Sequence, residues 1–98
     1  MNLKDFIKYS KSSILSKEIL KSGKANITLF CMAANTEMSK HTSTKEAIIL
    51  VLEGNGLFNL KGKNIKMSNG VIIHMKKNMP HSLKARKNTS FMLFLWNN

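Results

Sequence analysis

Three histidines, His41, His74 and His81, are the side chains of this 98-residue chain best suited to proton transfer, metal ligation or polar ligand contacts near neutral pH. Their surroundings differ. His41 lies in a polar stretch and His81 follows Pro80 at the start of a β-rich segment. His74 sits among apolar residues, where a buried ring bonded to backbone or sheet partners is expected. Cys31 is the single cysteine, which rules out an intrachain disulfide and a multi-thiolate metal site. In a β-rich run with no cation beside it, its thiol reads as a small buried hydrophobe. The dispersed methionines read as adaptable core filler that would make any barrel pocket soft and apolar.

Sixteen basic residues against 5 acidic ones give a formal charge of +11, enough to attract polyanions without a built site. All the basic residues except Arg86 are lysines, and the bidentate forks that read bases or clamp phosphate belong to arginine. Only Lys76, Lys77, Lys84, Arg86 and Lys87 cluster locally, so a solvated surface is expected and nucleic acid is not the expected partner. No apolar run reaches the ~18 residues of a membrane span, and charge interrupts the first residues where a signal peptide would need an apolar stretch. A cytoplasmic protein without membrane contact is the expectation.

The elements that must hold these groups are strands. Ile19 and Leu20 precede a turn at Ser22-Gly23-Lys24, and Ile27 to Ala34 reads as β. Ala47 to Leu52 is apolar at every position, which for a short β-branched segment implies a central strand covered on both faces. Leu57 to Leu60 and Ile65 to Met67 form a hairpin across Lys61 to Asn64, whose Gly62 supplies a positive φ. Val71 to Met75, Pro80 to Ala85 and Ser90 to Trp96 supply further strands, so short strands without a strong helix predict a sandwich or barrel. Residues 1 to 16 read as an N-terminal arm with one short helical turn at Leu3, Phe6 and Ile7, and residues 17 to 98 as a single domain. Phe91 to Trp96 is apolar at both parities, and its second face needs a cover: a homodimer is expected, with the folded-back arm as the alternative. Trp96 would seal the barrel end or that contact.

Residues 35 to 85 resemble the two signature motifs of the cupin superfamily. The first match runs from Asn35 to Gly54 through His41-Thr42-Ser43-Thr44-Lys45-Glu46-Ala47, and the second through Gly70, Lys76, Asn78, His81 and Ala85. The resemblance implies an all-β, cupin-like double-stranded β-helix (jelly-roll) barrel. Asn35 and Asn78 stand where the family has glycine, and asparagine tolerates the left-handed backbone best after glycine.

On the chemistry, the resemblance gives His41 and His81 as metal ligands, while Ser43 and Ala47 occupy the positions of the family's second histidine and its glutamate. A divalent transition metal (iron, manganese, nickel or zinc) would then have to recruit His74 or Glu46. Residues 41, 43, 45 and 47 share one face of an extended segment, so Glu46 reaches that face only through a bulge. The expected function is a barrel that binds a small-molecule ligand with weak or absent metal dependence. His41, His81 and Ser43 would form its polar mouth, with Ala47, Ile49 and Val51 as an apolar wall. The alternative implied by the family is a metal-dependent enzyme of dioxygenase or isomerase type that uses His41 and His81.

Overall fold

A computed structural model describes residues 1–97, so Asn98, the last residue of the expected barrel domain, lies outside the described residues. After a 3-10 helix, Leu3–Phe6, the strands in chain order are β1 (Ile14–Lys21), β2 (Ala25–Met32), β3 (Glu37–His41), β4 (Glu46–Glu53), β5 (Gly56–Leu60), β6 (Lys63–Met67), β7 (Ile72–Met75), β8 (His81–Ala85) and β9 (Thr89–Trp96). They build two antiparallel sheets, one ordered β1-β2-β9-β4-β7 and the other β3-β8-β5-β6. The result is the jelly-roll barrel that the motifs imply. Among the described residues no helix is long and apolar enough to cross a membrane.

The sequence of β4 explains its place. Ala47, Ile49 and Val51 alternate into a core shared with Phe58, Met67, Ile73 and Phe91. The intervening Leu50 and Leu52 pack on the outer side with Leu29, Cys31 and Met92, beneath Leu3, Phe6, Ile7 and Tyr9 of the arm. A strand apolar at both parities is thus covered on both faces. The arm folds back as the alternative reading allowed, and it is pinned there. Tyr9 O–H donates to Glu53 Oε2 at 2.9 Å, and Lys17 Nζ stands 4.8 Å from the Phe6 ring centre. Burial, aided by the Glu53 carboxylate, pushes the Tyr9 hydroxyl up to about 12.

The arm is shorter than expected, because β1 begins at Ile14, inside the stretch read as arm. Its polar composition hid it: of Ile14–Lys21 only Ile14 and Ile19 are half-buried, as suits a charged edge strand with a bulge between Glu18 and Leu20. The hairpin turn is also tighter, with Leu60 paired to Lys63 and positive φ at both Lys61 (51°) and Gly62 (89°). Two central residues in that region fit the twist of the flanking strands. Asn35 (69°) and Asn78 (65°) adopt the left-handed conformation expected of them. The basic cluster is divided, since Lys76 and Lys77 precede β8 while Arg86 and Lys87 follow it, and five strand residues separate the two halves by roughly 17 Å.

Gly54 marks the sharpest constraint in the barrel. Its φ is 125°, and a Cβ there would run into the side chain and backbone of Thr89. Thr89 Oγ1 in turn accepts from the Asn55 N–H at 3.1 Å and donates to the Lys87 carbonyl at 2.8 Å, tying the β4–β5 turn to β9. Gly54→Ala is therefore expected to cost about 3 kcal/mol or more in strain and overlap. Gly23→Ala has open space around it and should move the urea-unfolding free energy by less than about 0.5 kcal/mol.

Candidate functional site

β3 and β8 pair antiparallel, and their register sets His41 opposite His81. Residues remote in sequence thereby meet: the two ring centroids lie 4.1 Å apart with planes inclined at 63°. Each ring is oriented by the carbonyl two residues before it. His41 Nδ1–H donates to Ser39 O at 2.6 Å, and His81 Nδ1–H donates to Met79 O at 2.9 Å. A carbonyl has no proton to give, so both rings carry hydrogen on Nδ1. In the neutral form the nitrogen bearing the lone pair is Nε2.

His41 is exposed at the rim, whereas His81 is 6% exposed and stacks on Phe58 with centroids 5.8 Å apart. Burial holds the His81 imidazole below its usual 6.5; the bond to Met79 opposes this shift and a charge on His41 adds to it. Protonation of His81 is disfavoured on both counts.

Between the sheets these rings border a cavity of about 220 Å³, whose wall includes Phe30, Met38, Ile49, Met75 and Phe91. Phe30 and Phe91, directly paired across β2 and β9, stack at 5.2 Å. A larger cleft of about 490 Å³ beneath the arm, bordered by Phe6, Leu15 and Cys31, holds no imidazole. Ser43 lies in the β3–β4 loop at the cavity, where its Oγ accepts from the Lys45 N–H at 3.1 Å. Its carbonyl accepts from the Asn78 N–H at 2.7 Å, so the loop and the left-handed turn before β8 hold one another.

Not every expected site residue reaches this cavity. Ile49 is on its wall, whereas Ala47 and Val51 are buried in the core outside the lining. His74 and Glu46 require correction. His74 is exposed, not buried, and its Nε2 meets Glu46 Oε2 at 2.5 Å. The reason is parity: β4 and β7 turn Ala47, Ile49, Ile73 and Met75 inward, which sends Glu46 and His74 to the outer face. Neither joins His41 and His81, and no bulge shifts Glu46 inward.

Two imidazoles are left as donors, where a tightly held transition ion draws three or four protein ligands. Among the described residues no group of three or more His, Cys, Asp or Glu is placed to hold a metal. The residues present do not fit the family's metal.

Sequence reasoning missed the aromatic wall. Phe30 and Phe91 carry no motif, and the signal for them lies in the pairing of β2 with β9, which places two inward positions side by side.

A family model described as "cupin domain" matches residues 28–97. Among solved structures, a conserved protein of unknown function from Streptococcus pyogenes aligns with a TM-score of 0.91 at 20% identity, covering 100% of this chain and 86% of that one. A cupin superfamily protein from Desulfitobacterium hafniense aligns at 0.93 and 15% identity, covering 100% and 90%. A variant of salicylate 1,2-dioxygenase from Pseudoaminobacter salicylatoxidans aligns at 0.79 and 17% identity, covering 85% of this chain and 26% of that one. A search of curated proteins found no match. At these identities the structural likeness establishes the fold.

The buried ring gives a pH test. With His81 below 6.5 in the folded state and near 6.5 when unfolded, the unfolded chain binds the proton more readily. Its contribution to stability is fully present above pH ~6.5 and is lost as the pH falls through the folded value. His81→Gln is expected to flatten that part of the stability profile, measured by urea unfolding at stepped pH. A slope unchanged by the substitution would contradict the burial.

Proposed function

This chain belongs to the cupin family, and from that premise we propose that its barrel binds a small organic molecule non-covalently, with weak or absent metal dependence. The observation that supports this is the apolar cavity of about 220 Å³ whose polar lining consists of His41, His81 and Ser43. Apolar walls supply affinity and a few polar groups fix orientation, which is the usual division of labour in small-molecule sites. The metal-dependent enzyme reading keeps only two of the family's ligands and lacks a third donor beside them. A reducing cytoplasm suits the free, buried thiol of Cys31.

A ligand held at 100 times its Kd stabilises the fold by about 2.7 kcal/mol, roughly 10 °C or more in Tm for a domain of this size. A thermal-shift screen of single-ring organic molecules should find such ligands. Excess chelator should leave the shifts intact, and Ser43→Trp, which fills the mouth, should abolish them. A screen with no hits, or hits that vanish with chelator, would contradict the reading.

We further propose a homodimer through the part of the outer face that the arm leaves open. Ala25, Ile27, Ile48, Phe94 and Trp96 line an apolar groove there, and Ile72 nearby is 67% exposed. A second copy is the occupant that an apolar sheet face of this kind fits, since two identical faces match in polarity about a two-fold axis. Sedimentation at micromolar concentration is expected to show a dimer, and Ile48→Lys a monomer of unchanged fold. A wild-type monomer under those conditions would remove the proposal.

A further inference from the structure

Resting on the reading of the barrel as a small-molecule site, we propose that the cavity selects a neutral one-ring aromatic molecule bearing a hydroxyl, a phenol, whose O–H donates to Nε2 of the His41–His81 pair.

The polarity of the site follows from the backbone. Both Nδ1–H groups are committed to carbonyls, those of Ser39 and Met79, so a neutral pair offers a ligand lone pairs and no imidazole N–H. Ser43, the remaining polar group of the lining, receives the Lys45 N–H on its Oγ and keeps its own O–H to donate, so the donor requirement is set at the imidazoles. A ligand that brings a donor completes this arrangement. At the imidazoles, one that brings only acceptors sets lone pair against lone pair, and a carboxylate adds the loss of its hydration in an apolar wall.

Size and shape narrow the class. An engineered cavity of about 150 Å³ lined by Leu, Ile and Phe holds benzene, so 220 Å³ accommodates one ring with a substituent. The stacked Phe30 and Phe91 offer aromatic surface inside the barrel, while exposed His41 lies at the mouth. A phenol therefore enters ring first and leaves its hydroxyl beside the imidazoles.

Phenol, toluene and benzoate are the probes, since toluene replaces O–H by a methyl group of similar size and benzoate replaces it by an acceptor. Calorimetric titration at mildly alkaline pH is expected to give phenol a Kd about tenfold below that of toluene, with benzoate weakest. In His81→Phe the preference for phenol over toluene should fall severalfold while toluene still binds, which also shows that the variant retains its cavity. His41→Gln, whose amide can donate as well as accept, should recover part of the benzoate affinity. Equal affinities for phenol and toluene would overturn the donor requirement and leave the cavity reading standing. No binding of any probe would sink both.

Discussion

The antiparallel register of β3 on β8 is the constraint on which the site depends. Setting His41 opposite His81 joins two segments that have no local reason to meet, and it does so at the open end of a cavity. The backbone then completes the site, because Ser39 O and Met79 O each take an Nδ1 proton and fix which nitrogen remains to act. Slipping either strand by one residue would turn its imidazole to the other face of the sheet. The left-handed Asn78 matters for that reason: its N–H donates to the Ser43 carbonyl and ties the turn before β8 to the loop after β3.

A register shift in β3 between Met38 and His41 sets the two imidazoles opposite one another, whereas unbroken alternation along β4 denies them the family's third and fourth metal donors. A complete ligand set needs histidine and glutamate at inward positions, and this chain carries Ser43 at the cavity and Ala47 in the core instead. Its available carboxylate, Glu46, and its third imidazole, His74, find each other on the outer face. Among the described residues the scaffold combines a shaped apolar interior with two oriented imidazoles and no further donors beside them for a tight metal site.

Much of this architecture was legible in the sequence because it is written in periodicity and turn chemistry. The uninterrupted apolar run of β4 announced a strand with two covered faces, and Asn35, Asn78 and Gly62 announced left-handed turns. What escaped was carried by edges and by register. β1 and β3 expose most of their residues, so the first residues of β1 and the polar run of β3 read as arm and loop, although both belong to paired strands. His74 looked buried because its neighbours are apolar, yet its own parity faces outward on an edge strand. Phe30 and Phe91 become a cavity wall only once β2 and β9 are aligned, and no local pattern supplies that alignment.

The account stands on two imidazoles that share one tautomer and one neighbourhood. Nitrogen-15 spectroscopy of the imidazole side chains, combined with ring-to-ring nuclear Overhauser effects, reads both directly. Protonated Nδ1 and unprotonated Nε2 in each of His41 and His81, with cross-peaks between the two rings, is the predicted result. A proton on Nε2 of either neutral ring, or the absence of any ring-to-ring cross-peak, would contradict it.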